Sequence, residues 1–172
     1  MARVFEGTVE IDYSQAYVMD VNSGIPDMSE SFRGQSNGLC GAATGKALFL
    51  HTGLKIGPVG FTIDLLDAPP LLEDDWEEII EVSFYVSATA PDVALVQWAS
   101  YPIPLLPGSY RVRYCARGMD LGAARPAPID DLDPIDFYAL AFWPAEVAGD
   151  QIIKQTSKIA AYWHDWARKL GG

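Results

Sequence analysis

The stretch SYRVRYCAR, residues 109–117, alternates between two kinds of side chain along its whole length. In an extended chain successive side chains point to opposite faces, so this stretch has one apolar face and one basic face. The apolar face consists of Tyr110, Val112, Tyr114 and Ala116, and the opposite face of Arg111, Arg113, Cys115 and Arg117. Pro107 and Gly108 directly before the stretch are typical turn residues. The pattern predicts a β-strand with one face in a hydrophobic core.

Similar short segments rich in β-branched and aromatic residues recur on both sides, separated by Gly and Pro. The predicted strands cover residues 4–11, 13–21, 46–51, 59–66, 79–88, 94–100, 110–116 and 137–143. Residues 22–45 contain many Gly, Ser and Asn residues and predict a long loop with room for one helical turn. No internal repeat or low-complexity tract interrupts the chain.

The pattern changes to a helical period at the C-terminal end of the chain. Asp150 is a suitable N-cap for a helix over residues 151–170, and Gly171 follows it. One face of this helix would carry, at steps of three and four, Ile152, Thr156, Ile159, Trp163, Trp166 and Leu170. This helix either packs on the strands or serves as an arm for a partner, and the charge of +1 over residues 145–172, from three acidic and four basic residues, favours packing.

Together these patterns predict a mainly-β fold, an antiparallel β-sandwich of about seven to nine strands with a C-terminal α-helix packed on it. A length of 172 residues fits a single domain. Within it, we expect residues 1–144 to form the sandwich and residues 145–172 to form the helical extension.

Composition limits the possible functions and locations. The chain has 23 acidic and 12 basic residues, a formal charge of −11, and direct binding to nucleic acid needs the opposite sign. Its two cysteines, Cys40 and Cys115, are expected to be free thiols in a reducing compartment. Because neither a signal-peptide pattern nor a run of about 20 apolar residues occurs, we expect a cytoplasmic protein that does not enter a membrane.

Catalytic and metal-binding patterns are weak. His51 and His164 have no partner at zinc-ligand spacing, and Cys40 has no base that the sequence places beside it. No nucleophile elbow or phosphate-binding loop occurs. We therefore predict no catalytic residue, no metal and no cofactor. An enzyme would instead require a pocket that unites one of the histidines with carboxylates.

Acidic residues form two clusters. The first, EDDWEE, consists of Glu73, Asp74, Asp75, Trp76, Glu77 and Glu78. The second consists of Asp130, Asp131, Asp133 and Asp136. Each cluster could be a solvated loop or a surface for a basic partner, and the Asp-rich loop could also bind calcium through oxygen ligands. We favour the first cluster as the partner-binding site, because an aromatic anchor among charges is typical of interface hot spots.

Several segments, taken in order, resemble the competence-J family of small bacterial proteins that inhibit a DNA-entry nuclease. They are the strand at 13–20, GLCGAATGKALFL, WEEIIEVSFYV, PLLPGSYRVRYCAR and DFYALAFWP. The resemblance spans roughly residues 4–143 and implies an immunity-like nuclease inhibitor. The EDDWEE insert and the helical extension depart from the family pattern, so the resemblance does not imply the same target nuclease.

The leading hypothesis is therefore a non-enzymatic, acidic protein-binding domain whose partner is a basic protein such as a nuclease or toxin. Its carboxylates around Trp76 would occupy the phosphate-binding surface of that partner. The alternative is a β-sandwich that binds a small molecule or carbohydrate, with Trp98 and Tyr101 among its stacking surfaces. The sequence leaves the oligomeric state open.

Overall fold

The computed structural model describes residues 2–126 and 133–170, and its strands form two sheets. Sheet A contains, in spatial order, β1 (Ala2–Ile11), β5 (Gly57–Leu65), β10 (Phe137–Pro144), β9 (Gly108–Arg117), β6 (Glu78–Val86) and β11 (Gln151–Lys154). Sheet B contains β3 (Cys40–Gly41), β4 (Leu48–His51), β2 (Gln15–Asp20), β7 (Val93–Val96) and β8 (Ser100–Pro102). The helices are α1 (Met28–Phe32), α2 (Met119–Ala124) and α3 (Lys158–Leu170).

The core lies between the two sheets, where the apolar faces of their strands meet. In β9, Val112 and Tyr114 are buried there, and the Tyr114 hydroxyl donates a hydrogen bond of 2.9 Å to the His51 carbonyl of sheet B. The predicted mainly-β fold of two packed layers with a C-terminal helix is confirmed.

Two details of the sheets differ from the prediction. β5 and β10 pair in parallel, whereas the sequence predicted an antiparallel sandwich. The described residues also form eleven strands, more than the seven to nine that were predicted. The sequence missed β3, β8 and β11, because they are too short to give a period-2 signal. A parallel pair requires a long connection between its strands, and here β6 to β9 lie between β5 and β10 along the chain.

The predicted helix over residues 151–170 is wrong in its first part. β11 occupies this part, and Ile152 pairs with Ile80 at the edge of sheet A. Asp150 caps no helix, since its carboxylate accepts hydrogen bonds from the backbone N–H groups of Ser36 and Asn37 at 3.0 and 2.8 Å. The first turn of α3 is held instead by Asp120, which accepts hydrogen bonds from the N–H groups of residues 158 and 159, both at 3.0 Å.

The outer face of sheet B is covered by α1 and α3, and we call it the helix-covered face. The Asp27 carboxylate caps α1 by accepting a hydrogen bond of 2.9 Å from the Glu30 N–H. The apolar residues packed between the two helices and the sheet include Tyr17, Met19, Phe32, Phe49, Trp166 and Ala167. The outer face of sheet A, by contrast, has no helix packed on it among the described residues.

Candidate functional site

A groove of about 530 Å³ lies on the outer face of sheet A. Its floor is built from outward-facing residues of β5, β10 and β9 whose side chains are small: Gly60, Thr62, Ala139, Ala141 and Cys115. A Cβ atom at Gly60 would collide with the Phe137 ring, so the absence of a side chain there lets this ring lie against the sheet. We call this surface the groove face.

Residues 66–77, the acidic loop, cross one side of the groove. Arg113 fastens the loop to the sheet by donating a hydrogen bond of 2.8 Å from Nη1 to the Pro70 carbonyl. The same guanidinium donates from Nε to the Glu81 carboxylate at 2.9 Å, and both of these side chains are nearly buried. At the other end of the loop, Lys154 donates a hydrogen bond of 3.1 Å to the Asp74 carbonyl. The acidic loop is therefore a fixed wall of the groove.

One end of the groove holds a guanidinium between two aromatic rings. Arg117 lies 5.1 Å from the centre of the Trp76 ring and 4.9 Å from the centre of the Phe137 ring. Its Nη1 also forms an ion pair of 3.1 Å with the Asp75 carboxylate, in which both partners are partly exposed. Carboxylate and aromatic faces together form an environment that stabilises a cation.

The residues predicted to bind a partner divide between surface and interior. Glu73, Asp74 and Asp75 are exposed, and Trp76 is half-buried at the groove. Glu77 accepts a hydrogen bond of 2.5 Å from the Gly118 N–H and so is held by the chain itself. Glu78 is buried and accepts hydrogen bonds from the backbone of Thr156 and Ser157. Burial raises the pKa of Glu78 above its usual range, and it has no surface to offer a partner.

The second acidic cluster is not assembled in the described part of the chain. Asp130 and Asp131 lie outside the described residues, and Asp133 is exposed. Asp136 is buried, and its carboxylate accepts hydrogen bonds from the Tyr138 hydroxyl at 2.6 Å and the Leu54 N–H at 3.0 Å. Burial raises the pKa of Asp136. In residues 2–126 and 133–170, no group of three or more His, Cys, Asp or Glu side chains could hold a metal ion.

Both histidines lie in the interior: His51 at the end of β4, beneath α3, and His164 on the buried side of α3 itself. The His51 ring stacks on Trp163 with ring centres 3.8 Å apart, and on its other side it stacks on Phe32 at 5.0 Å. His164 accepts a hydrogen bond of 2.9 Å at Nδ1 from the Gly38 N–H. Burial lowers the pKa of each histidine to about 4, so both are neutral near pH 7.

Cys40 and Cys115 are buried free thiols. Burial raises the pKa of Cys115 to about 12 and that of Cys40 further, so neither is a thiolate near neutral pH.

The aromatic pair that the sequence suggested for stacking does not form a cleft. Trp98 is 74% exposed at the turn between β7 and β8, and Tyr101 packs on Phe5 with ring centres 4.6 Å apart. Sequence reasoning missed the groove instead. The sequence signal for the groove is the alternation of small residues at Gly60 and Thr62 and at Ala139 and Ala141. This alternation shows that two strands carry small side chains on their outer faces, but not that the two strands are neighbours.

Comparison with known proteins supports the fold. No protein-family model and no curated protein matches the chain. A solved structure of ComJ from Bacillus subtilis, described as an inhibitor of the DNA-degrading activity of NucA, superposes with a TM-score of 0.59 at 17% identity. The match covers 84% of this chain and 98% of ComJ. A solved structure of crocagin biosynthetic gene J superposes with a TM-score of 0.52 at 16% identity, and the match covers 85% of this chain and 100% of that chain.

These likenesses define the class of protein: a two-sheet β-protein with a ComJ-like fold. The resemblance to the competence-J family is thereby confirmed at the level of the fold. No helix in the described ranges is long and apolar enough to cross a membrane.

Proposed function

We propose that this protein is a non-enzymatic binding domain that inhibits a nuclease or a similar basic protein through its groove face. The observation that carries the proposal is the exposure of Glu73, Asp74 and Asp75 beside Trp76, on a wall fixed to the sheet at the side of an open groove. Two exposed leucines on the same loop, Leu71 and Leu72, add apolar contact area. Apolar and aromatic groups beside surplus charge have the composition of an interface that attracts a partner of opposite charge.

The fold supports the same proposal, because ComJ is described as an inhibitor of NucA. A nuclease presents basic side chains to the phosphates of its substrate, and carboxylates on a fixed loop can compete for those side chains. An inhibitory role also suits a chain whose two histidines are buried and neutral, since neither is accessible as an acid or base.

The proposal is tested by measuring how the protein affects DNA degradation by NucA and by a panel of other basic nucleases. Inhibition of at least one nuclease is expected, and lysine substitution of Glu73, Asp74 and Asp75 together should weaken it about 100-fold or more, with the loss larger at low salt.

A control with the same charge change carries lysine at the exposed residues Glu30, Asp92 and Asp165, which lie on the side of sheet B. It should keep inhibition within a few-fold of the wild type. Equal losses of inhibition in the two triple variants would mean that net charge alone causes the effect and that the acidic loop is not part of the interface. A lack of inhibition of every nuclease would count against the function itself.

A further inference from the structure

Resting on the proposed function, we propose that the groove receives an arginine or lysine side chain of the partner protein as its anchor. The volume of the groove, about 530 Å³, falls in the range of sites that enclose a bound group. Its floor is flat and largely apolar at Ala139 and Ala141. Long basic side chains lay their aliphatic stems on such surfaces and keep their charged ends at the rim.

The charges around the groove favour a cation. Four carboxylates and three guanidinium groups belong to its lining, which are Glu6, Asp64, Glu73, Asp75, Arg3, Arg113 and Arg117. Every guanidinium is already paired: Arg3 with Asp64 at 2.8 Å, Arg113 with Glu81 at 2.9 Å and Arg117 with Asp75 at 3.1 Å. The four carboxylates exceed the three guanidinium groups by one, so the lining carries a formal charge of −1.

Glu73 supplies that surplus at the mouth of the groove. It is exposed, lines the groove, and has no hydrogen-bond or ion-pair partner among the described residues. An incoming guanidinium or ammonium group at this point gains a carboxylate without breaking a pair that already exists. An anion would have to displace Asp75 from Arg117 or Glu81 from Arg113, and the second pair is nearly buried.

The groove also contains an internal example of the proposed contact. The guanidinium of Arg117 is held by Trp76, Phe137 and Asp75, two aromatic faces and one carboxylate. The same wall therefore has the chemistry that stabilises a planar cation. Aromatic residues and arginines are the residues most often found at the centres of interface hot spots, so a basic anchor here fits the energetics of protein recognition.

The proposal is tested by nuclear magnetic resonance on the ¹⁵N-labelled protein. Acetyl-Arg-Arg-Arg-amide, acetyl-Gln-Gln-Gln-amide and inorganic phosphate are titrated separately. The arginine peptide should shift the Trp76 indole signal and the amide signals of Thr62 and Ala139, and the glutamine peptide should leave them unchanged. Shifts confined to other surfaces, equal shifts with the glutamine peptide, or a saturable phosphate response at these signals would overturn the proposal.

Two variants sharpen the result. Glu73→Gln removes the surplus charge, and Ala139→Leu fills the floor; each should weaken the arginine peptide about three- to tenfold. Their matched controls are Glu30→Gln and Ala161→Leu, which alter exposed positions on the other side of the molecule and should bind as the wild type does. Thermal melting establishes that Ala139→Leu folds, and the surface variant Glu73→Gln gives a result that does not depend on packing. Unchanged binding in both would overturn the proposal.

The nuclease assay separates this inference from the function on which it rests. If Ala139→Leu inhibits a nuclease as strongly as the wild type, the groove is not the anchor site, although the inhibitory function stands. If the arginine peptide binds in the groove and both variants weaken it but no nuclease is inhibited, the groove stands as a receptor for basic side chains and the inhibitory function fails. A neutral ligand that fills the groove in competition with the peptide would overturn the inference in favour of small-molecule binding.

Discussion

On the outer face of sheet B, α1 and α3 cover the strands, whereas the outer face of sheet A is crossed by the acidic loop and by residues 145–150, and a groove stays open there. Each face holds a nitrogen-bearing group between aromatic rings. On the helix-covered face His51 lies between Trp163 and Phe32, fully buried, and its pKa is lowered to about 4. On the groove face Arg117 lies between Trp76 and Phe137, partly exposed and charged.

The difference shows that a nitrogen-bearing side chain between aromatic rings can serve either packing or binding, depending on its burial and on the charges beside it. Burial without a counter-charge keeps the imidazole neutral, and that cluster contributes packing. The guanidinium of Arg117 is partly exposed beside the Asp75 carboxylate, so that cluster can exchange contacts with another molecule. Substitutions on the helix-covered face should therefore change stability, and substitutions on the groove face should change binding.

Removing α3 should have the largest effect. A chain that ends at Ser157 keeps the backbone partners of Glu78 but loses the burial of Ile159, Trp163 and Trp166. A fully buried large apolar side chain contributes roughly 1.5–3 kcal/mol, and these three are partly buried, so their combined loss is a large fraction of the stability of a domain. Circular dichroism and size exclusion should show an unfolded or aggregated protein. A monomeric truncation that melts as the full chain does would make α3 a detachable arm.

Gly38→Ala should destabilise the protein next most. A Cβ atom at this position would overlap the backbone carbonyl of Trp163, so α3 has to move away from the sheet. We expect a loss of about 3 kcal/mol or more and a fall of roughly 6–12 °C in Tm. Gly24→Ala is the matched control, because no atom lies within 4 Å of its added Cβ. Similar Tm values for the two variants would contradict the close packing of α3.

Acidification should weaken the helix-covered face. The pKa of each buried histidine is about 4 in the folded protein and near 6.5 in the unfolded chain, so protons bind preferentially to the unfolded chain between these values. Stability from this source is complete above about pH 6.5 and is lost as the pH falls towards 4. At pH 5 the loss is at most about 2 kcal/mol per histidine. Glu78 and Asp136, whose pKa values are raised, oppose the trend.

His164→Asn isolates this contribution, because asparagine can still accept the hydrogen bond from Gly38 but does not titrate. The fall in Tm between pH 7 and pH 5 should be smaller in the variant than in the wild type. Equal falls would mean that His164 does not contribute to the pH dependence.

The smallest effect on stability is expected at the groove. Asp75→Asn removes the exposed ion pair with Arg117 and should change Tm by less than about 2 °C. The corresponding substitution Glu81→Gln acts on the nearly buried partner of Arg113 and should cost roughly 1–3 kcal/mol. Thermal melts of the two variants compare an exposed pair and a buried pair on one sheet face. A larger loss of stability for Asp75→Asn than for Glu81→Gln would mean that the acidic loop contributes to the stability of the fold.

The sequence alone predicted the strands in which apolar residues alternate with polar or basic ones. Residues 109–117 are the clearest case, because only one orientation of an extended strand places all of their apolar side chains in the core. It also predicted the second half of the terminal helix, where Ile159, Trp163 and Trp166 repeat at helical steps. The same rule could not assign Ile152 and Ile153, since a short apolar pair fits a strand and a helix equally well.

Only the tertiary structure decided the candidate site. Glu73 and Glu78 are chemically identical in the sequence, yet one is exposed on a loop and the other is buried at the start of β6, because pairing with β9 turns it inward. The groove depends on β5 and β10 being neighbours, although they are far apart along the chain. Local patterns determine which face of a strand is apolar, whereas long-range pairing determines which small residues meet, and that choice created the groove.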